Sequence, residues 1–319
     1  MQNGSRGDGL ASNIMPLLPS KAWIGPFEPP VIELGGPFFL SPFGLLAALG
    51  FWVGFRVARS RAKSLFLDTR LLPDVVFLLF VGAVVGGHLG HALFYEPERY
   101  FARPIEFLYL WQGLSSTGGF VACIGLTAWF LRRRGKSFLE YGDVLAYAFP
   151  FGFVFGRIGC FLVGDHPGKV TDFPLGVYGI HPMPKVLCFV EGVDPGSRDL
   201  SEACRALVET TALHDLGLYE AIFVGMLALA FRHLGSTFRS RGFFLGWLAL
   251  SYGCVRFFLD FLRSEYGPDV RRSLGGLPAL TPAQYFCFVL FCVGFWTLCK
   301  DWSLKEDAQR VPKGHRSPE

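Results

Sequence analysis

The chain has 319 residues and a formal net charge of +4 at pH 7; 51% of its residues are hydrophobic and only 18% are charged. Soluble domains carry about 25% charged residues, and the mean hydropathy here is +0.37. This composition excludes intrinsic disorder and a collagen-like chain, and the lack of a dense basic tract interleaved with aromatics excludes a nucleic-acid binder. The apolar residues cluster in windows of about 20 residues, long enough to cross a ~30 Å hydrocarbon core. The sequence therefore predicts an all-α polytopic membrane protein.

Seven apolar windows are each predicted to span the membrane. In chain order they cover residues 37–57, 73–94, 110–131, 143–163, 216–232, 243–262 and 282–299. No internal repeat relates them, which weakens the case for a transporter built from inverted halves. Residues 1–35 lack the basic and apolar segments of a cleavable signal peptide, so the first span is expected to direct insertion.

Basic residues concentrate in alternate loops, and this pattern predicts the orientation of the chain. Arginine and lysine follow the first, third, fifth and seventh spans, at positions 56–70, 132–136, 232–241 and 300–305. Because loops rich in these residues stay in the cytoplasm, the N-terminus is predicted outside and the C-terminus inside.

The same pattern predicts how the chain is organised. Residues 1–35 form a mobile extracytoplasmic segment, residues 36–300 a seven-helix membrane domain, and residues 301–319 a cytoplasmic tail. The membrane domain includes an extracytoplasmic head at 164–215, the only sizeable hydrophilic stretch between spans. The predicted location is a bacterial inner membrane, crossed several times.

The cysteines favour packing over metal binding. Six of the eight lie in apolar segments, where cysteine behaves as a small buried hydrophobe. Cys188 and Cys204 lie in the hydrophilic stretch and could form a disulfide if that stretch faces an oxidising compartment. No cysteine or histidine pair has the spacing of a zinc site, so neither a metal site nor a cofactor is predicted.

Polar side chains inside four spans mark a candidate functional site, because such groups are costly in hydrocarbon. They are His88 and His91 in the second span, Thr117 in the third, Arg157 in the fourth, and Tyr252, Arg256 and Asp260 in the sixth. The last three have spacing i, i+4 and i+8 and therefore share one helix face.

The depths of these residues indicate a single chamber. At a rise of ~1.5 Å per residue, Arg157, Arg256 and His88 each lie about 20 Å from the cytoplasmic surface. Thr117 enters from outside and lies about 10 Å below the outer surface. In a ~30 Å core these levels coincide in the outer third. We therefore expect one polar chamber that opens toward the outer face.

Two arginines at one depth suit a phosphate, because guanidinium groups bind phosphate oxygens bidentately. At this depth the natural phosphate belongs to a lipid headgroup. The structural alternative is that Arg256 pairs only with Asp260 and that Arg157 extends toward the interface. His88 and His91 have an alternative role as hydrogen-bond donors between helices.

Four stretches resemble motifs of the prolipoprotein diacylglyceryl transferase family. Residues 155–165, Phe-Gly-Arg-Ile-Gly-Cys-Phe-Leu-Val-Gly-Asp, resemble the signature Gly-Arg-x-Gly-Asn-Phe-x-Asn-Gly-Glu, whose later glycine matches Gly168. Residues 114–119 resemble a motif that ends His-Gly-Gly, and residues 214–220 a His-Pro-x-x-Leu-Tyr-Glu motif. Residues 252–256 resemble a Tyr-Gly-x-x-Arg motif, which a later acid and arginine follow.

The resemblance covers roughly residues 35–300 and implies an enzyme of lipoprotein biosynthesis. Members of the family move the diacylglyceryl group of phosphatidylglycerol to the lipobox cysteine of a secreted prolipoprotein, and glycerol phosphate leaves. The implied partners are phosphatidylglycerol, the prolipoprotein signal peptide and the bilayer, with no nucleic acid. This chemistry needs a thiolate nucleophile and cations that stabilise the departing phosphate. The head at 164–215 is expected to receive the peptide.

The resemblance, together with the depths of the polar side chains, assigns site residues. The predicted catalytic residues are Arg157, Arg256, Tyr252, His88 and Asp260. The predicted phospholipid-binding residues are Arg157, Arg256, Gly118, Gly119, Gly168 and Asp165. Several positions depart from the family motifs, among them Thr117, which replaces the histidine, Cys160, which replaces an asparagine, and Phe43, which replaces a tyrosine. Since a hydroxyl cannot act as a base near neutral pH, His88 is predicted to substitute for the missing histidine, with His91 as second choice.

Two other functions stay open at this point. The phosphate-binding motifs are kept while the thiol-activating ones are not, so the chain could be a divergent paralogue. Such a paralogue would bind a phospholipid or use another acceptor. A channel or transporter ranks third, because it needs a polar path and the inner halves of these spans are apolar apart from flanking basic residues.

Overall fold

The structure is a computed structural model that describes residue 24 and residues 32–35, 38–110, 113–178, 211–236, 241–263 and 280–299. Three predictions fall wholly or largely outside the described residues: the mobile segment at 1–35, the disulfide between Cys188 and Cys204, and the tail at 301–319. The larger part of the predicted head, residues 179–210, is outside them as well.

The described residues are mostly helical. The helices are α1 Pro42–Ser64, α2 Leu72–Val81, α3 Gly87–Phe94, α4 Pro97–Ala102, α5 Ser116–Arg133, α6 Phe138–Val163, α7 Leu216–Leu234, α8 Phe243–Leu259 and α9 Pro282–Cys299. The strands are β1 Ile32–Gly35, β2 Phe38–Leu40, β3 Pro167–Val170 and β4 Leu213–Asp215. They form two antiparallel pairs, β1 with β2 and β3 with β4, which the helical prediction did not include.

Six helices in the described part of the chain are long and apolar enough to cross a membrane. They are Pro42–Ser64, Thr69–Phe94, Phe138–Val163, Leu216–Leu234, Phe243–Leu262 and Pro282–Cys299. The second is continuous because the π-helical turn Gly82–Gly86 joins α2 to α3. The prediction of a polytopic helical membrane protein is therefore confirmed at this coarser level.

Two predicted spans differ from the helices found. The third was expected at 110–131, but α5 begins at Ser116 because the Ser115 side chain accepts a hydrogen bond from the Gly118 amide, an N-cap. Helix α5 ends on two arginines and is not among the six. The first span was expected at 37–57, but residues before Pro42 form a strand, and the helix continues to Ser64.

Paired glycines let the helices approach closely. A Cβ on Gly50 of α1 would lie 2.4 Å from the Gly152 carbonyl oxygen of α6. A Cβ on Gly90 of α3 would lie 2.5 Å from the Gly118 Cα of α5. Small residues at such positions bring backbones together in membrane helices. The seam between α2–α3 and α5 therefore depends on glycine.

One end of the bundle, which we call the basic end, carries basic residues in the last turns of α1, α5 and α7. Arg61 at the end of α1 donates a hydrogen bond of 2.9 Å to the carbonyl oxygen of Gly235, just after α7. Arg134, after α5, lies 4.0 Å from Asp74 in the first turn of α2. A buried apolar cluster lies close by and contains Ala58, Ala62, Leu71, Leu72, Val75, Leu131, Tyr141, Val144 and Ala148.

The opposite end, which we call the polar end, is organised by turns and short strands. Helix α6 ends at Gly164, whose φ of 61° reverses the chain in a conformation that favours glycine. Helix α7 begins at Asp215, whose carboxylate accepts a 2.7 Å hydrogen bond from the Leu218 amide. Pairing of β3 with β4 joins these two turns. As a result, the end of α6 and the start of α7 lie side by side.

Candidate functional site

Two arginines from different helices meet on one carboxylate at the polar end. The Nε atom of Arg157, on α6, lies 2.9 Å from Glu220 Oε2. The Nε atom of Arg256, on α8, lies 3.2 Å from Glu220 Oε1. Glu220 is on the second turn of α7, so three helices contribute to this contact. Each guanidinium group therefore faces the carboxylate with its Nε atom, and each faces a different carboxylate oxygen.

The sixth-span residues complete this charged cluster. Arg256 Nη2 lies 2.9 Å from Asp260 Oδ1, and the Tyr252 hydroxyl donates a 3.1 Å hydrogen bond to Glu220. The Thr281 hydroxyl donates to Asp260, and Arg263 Nη1 lies 3.8 Å from the same carboxylate. Arg157 and Arg256 thus face Glu220 and Asp260, and Arg263, whose side chain is 27% exposed, adds a positive charge at the edge.

The cluster is buried. The exposed fraction is 6% for Arg157, 5% for Arg256 and 1% for Glu220. Arg157 therefore does not extend outward to the interface, which was the structural alternative, and Arg256 does not pair with Asp260 alone. Within the described residues Arg256 Nη1 has no hydrogen-bond partner. A buried guanidinium donor without an acceptor is costly and fits an anionic ligand.

Aromatic rings close the cluster on the side of the basic end. Phe120 of α5 packs against Phe149, Phe153, Tyr252 and Phe286, with ring centroids 5.9 to 6.3 Å apart. The Arg157 guanidinium lies over the Phe153 ring at 4.7 Å, a cation–π contact. This layer is apolar, whereas a transport path would need polar groups there. The aromatic layer therefore separates the charged cluster from the basic end.

The remaining edge of Arg157 faces the turn after α6. Its Nη1 atom lies 3.8 Å from Cys160 Sγ and 3.4 Å from His166 Nε2. The Nδ1 atom of His166 in turn contacts an oxygen of Asp165. The predicted residues Cys160 and Asp165 are thus joined to Arg157 through a histidine that the sequence analysis did not select.

Cys160, Asp165 and His166 are also the donor set in the described residues that comes nearest to a metal site. One ligand atom from each lies within 4.8 Å of the others. The Arg157 guanidinium, however, is close to both the sulfur and the imidazole, and its positive charge would repel a cation. This cluster therefore suits proton transfer beside an anion better than it suits metal binding.

The predicted glycines divide between the site and the helix seam. Gly118 and Gly119 pack on α2–α3, and a Cβ on Gly118 would lie 2.4 Å from the Gly86 carbonyl oxygen. Gly168 lies at the polar end, where it forms a bridge with Arg263. Their assignment to phospholipid binding stays a prediction, and for Gly118 and Gly119 the structure adds a packing role.

The positions that depart from the family motifs are not all at the cluster. Thr117 is buried on α5, one turn before Phe120 of the aromatic layer. Phe43 is on the first turn of α1, with its side chain 40% exposed on the outside of the bundle. Phe43 Cα would lie 3.1 Å from a Cβ on Gly159, so this position borders α6.

His88 is buried but is not connected to the arginines. Its Nδ1 atom lies 3.3 Å from the Gly113 carbonyl oxygen, and its ring packs at 5.5 Å on Tyr100. No hydrogen bond or ring contact in the described part of the chain joins it to Arg157 or Arg256. His91 packs on Tyr95 and lies 3.6 Å from Glu96. The role of His88 as base stays a prediction.

Sequence reasoning missed the residue at the centre of the cluster. Glu220 lies inside an apolar span, so the rule used for Arg157 and Arg256 would have selected it. Glu220 entered the sequence analysis only as the last residue of the motif at 214–220. His166 gave no such signal, because it follows the span and reaches Arg157 only through the turn at Gly164.

An acidic group beside the cluster has a shifted pKa. Burial raises the pKa of Asp215 to about 7, and the charge of Asp165 adds to this shift. The backbone amides of Leu218 and Gly217 oppose it by donating to the carboxylate. Burial also lowers the pKa of the neighbouring His214. Both groups lie in β4, just outside the membrane-spanning part of α7.

Comparison with known proteins shows similarity over most of the chain. The family model of prolipoprotein diacylglyceryl transferase matches residues 29–300. A phosphatidylglycerol–prolipoprotein diacylglyceryl transferase of Polynucleobacter asymbioticus is 32% identical over 280 residues, which cover 85% of this chain and 95% of the relative. Proteins of the same name from Solidesulfovibrio magneticus and Nitratidesulfovibrio vulgaris are each 31% identical, over 86% and 85% of this chain and 94% and 93% of their own lengths.

Proposed function

This chain belongs to the prolipoprotein diacylglyceryl transferase family, and we propose on that premise that it transfers diacylglyceryl from phosphatidylglycerol to a prolipoprotein. The acceptor is the thiol of a lipobox cysteine, and glycerol phosphate leaves. The observation that carries the proposal is the convergence of Arg157 and Arg256 on Glu220.

The arrangement of the arginines supports a phosphate site. The Nε atoms of both guanidinium groups lie against Glu220, Arg256 Nη2 pairs with Asp260, and Arg157 Nη1 lies against Cys160 and His166. Arg256 Nη1 has no hydrogen-bond partner among the residues described. Charge develops on the departing phosphate, and preorganised cations stabilise it most in a site that excludes water.

The other cluster residues act through these two. Tyr252 orients Glu220, and Asp260 fixes Arg256 with the help of Thr281. Gly168 and Asp165 border the site on its outer side. We propose that they line the approach to the headgroup, and that the region 164–215 receives the peptide.

We propose the following membrane arrangement for this enzyme. Helix α5 crosses the bilayer with the six apolar helices, because it packs along α2–α3 over its length through the glycine seam. The basic end faces the cytoplasm, since arginine and lysine concentrate there. The polar end then faces outward, with the N-terminus outside, in the inner membrane of a bacterial cell.

A reconstituted assay tests the function. The full chain is placed in vesicles of phosphatidylglycerol and given a lipobox peptide, and both thioether formation and glycerol phosphate release are measured. Phosphatidylethanolamine vesicles and a peptide with serine in place of cysteine are the controls. Transfer that needs both phosphatidylglycerol and cysteine supports the proposal. Binding of phosphatidylglycerol without any thiol alkylation would instead identify a divergent paralogue.

A further inference from the structure

The turn that follows α6 places an oriented histidine beside the arginine cluster. Gly164 reverses the chain, and His166 folds back over the last turns of the helix. Its Nε2 atom lies 3.4 Å from Arg157 Nη1. Its side chain is 22% exposed, so a substrate can approach it from the aqueous side.

The contacts of His166 determine which nitrogen is available. Asp165 is an acceptor only when ionised, so the contact with Nδ1 places the ring proton there. Nε2 then carries the lone pair and points toward Arg157. A carboxylate that holds one imidazole nitrogen keeps the other in position to take a proton.

We propose that His166 is the general base that activates the acceptor thiol, with Asp165 as its positioning residue. This inference rests on the transferase function proposed above. It replaces His88, whose ring faces Tyr100 and Gly113 and has no contact with either arginine among the described residues. It also explains how the chain can work with Thr117 at the position where the family has a histidine.

The reaction step balances with the groups present. His166 Nε2 takes the proton of the cysteine S–H, and the sulfur attacks the glyceryl carbon that bears the phosphate. The C–S bond forms while the C–O bond to phosphate breaks, and the electron pair stays on the phosphate oxygen. Arg157 and Arg256 stabilise that charge. The proton then passes from His166 to the leaving glycerol phosphate, which restores the neutral imidazole.

Four groups influence the protonation of His166 and belong in the design of the test. Asp165 faces Nδ1 from the same turn, Arg157 faces Nε2 from α6, Cys160 Sγ lies within 4.8 Å of a ring nitrogen, and the charge of Glu220 on α7 also acts on it. None of these groups is changed when only the imidazole is replaced.

The test compares His166→Gln with a matched control, His233→Gln at an exposed position in the last turn of α7, in the full chain in phosphatidylglycerol vesicles with a lipobox peptide. Loss of a general base costs about 10²-fold or more in kcat/KM at pH 7. At pH 9.5 the peptide thiol, with an ordinary pKa of ~8.5, ionises without a base, and the deficit should shrink to a few-fold. His233→Gln should stay close to wild type at both pH values.

A second variant, Asp165→Asn, keeps the imidazole and removes its carboxylate. We expect about a 10-fold loss, with the rising limb of the pH–rate profile moved to lower pH, because the imidazolium loses a stabilising negative charge. A merely structural role would leave the limb in place. His166→Gln with full activity, or with an equal loss at pH 7 and 9.5, overturns the inference while the wild type stays active. A wild type that transfers nothing at any pH overturns the proposed function itself.

Discussion

Two ion pairs at opposite ends of the helix bundle differ in how deeply they are buried. At the basic end, Arg134 and Asp74 are each more than half exposed and lie 4.0 Å apart. At the polar end, Arg157 and Glu220 are 7% and 1% exposed and lie 2.9 Å apart. Exposed pairs contribute little, because water screens them. Buried charges persist only where they are paired, and they are retained where they serve a function.

This difference shows which ion pairs matter for the enzyme. The Arg134–Asp74 pair is exposed, so its identity and geometry should matter little. At the polar end, one carboxylate holds two guanidinium groups in buried positions, so their geometry should matter more. The predictions below compare a substitution at the polar end with a matched substitution elsewhere, from the largest expected effect to the smallest.

Glu220→Gln should have the largest effect on stability. It leaves Arg157 and Arg256 without their shared counter-charge in a buried position, which costs about 3–5 kcal/mol in unfolding free energy. The matched change at the basic end, Asp74→Asn, should cost less than about 1 kcal/mol. Thermal unfolding of the two variants in detergent checks the comparison. Equal losses would mean that burial does not distinguish the two ends.

Arg157→Lys should have the largest effect on activity for a small change in structure. An ammonium keeps the charge but cannot form the fork that binds phosphate oxygens, so kcat/KM should fall by about 10²-fold or more. Arg134→Lys at the basic end should leave the rate unchanged. Release of glycerol phosphate measures both. Normal transfer by Arg157→Lys would refute the phosphate role of this arginine.

Two glycines of helix α5 allow the polar end and the basic end to be compared within one helix. Gly118 is near the polar end, and an added Cβ would lie 2.4 Å from the Gly86 carbonyl oxygen and 2.6 Å from Gly90 Cα. Gly118→Ala should therefore destabilise the bundle by about 1–3 kcal/mol. Gly125, two turns nearer the basic end, has nothing within 4 Å of an added Cβ, and Gly125→Ala should gain up to about 1 kcal/mol. A stable Gly118→Ala protein would show that the seam can open.

The sequence alone predicted the helices better than it predicted the roles of the site residues. Apolar windows of membrane-spanning length located most helices, because each backbone must satisfy its own hydrogen bonds in lipid. The start of α5 was misplaced because a serine cap, not hydrophobicity, begins that helix. Arg157 and Arg256 were selected by charge and depth. Their meeting on Glu220 depends on how three helices pack, which no single helix encodes.

Two residues, Gly118 and His166, show why the roles of the other site residues could not be predicted from the sequence. Gly118 matched a binding motif, yet its lack of a side chain also serves close packing, and a motif cannot separate the two roles. His166 lay outside every span, and only the left-handed turn at Gly164 returns it to Arg157. Contacts made through a turn depend on one backbone angle and leave no periodic pattern in the sequence.

The smallest expected effect is the pH dependence of the unfolding free energy that Asp215, at the polar end, should produce. Burial raises its pKa to about 7 from an ordinary value of ~3.9. The folded state therefore binds this proton more tightly than the unfolded state, so the stability contribution is full below about pH 4 and is lost as the pH rises toward 7. Between pH 6 and 7 the loss should be about 1 kcal/mol.

Asp215→Asn separates this carboxyl from the other titrating groups of the polar end. Asparagine keeps the N-cap of α7 and cannot ionise, so its unfolding free energy should be flat where that of the wild type falls. Asp172→Asn, at an exposed position in the same region, is the control and should keep the wild-type slope. Unfolding followed from pH 5 to 8 measures all three proteins. If the slope survives in Asp215→Asn, the titrating proton belongs to another group. In that case the burial of Asp215 does not make the unfolding free energy depend on pH.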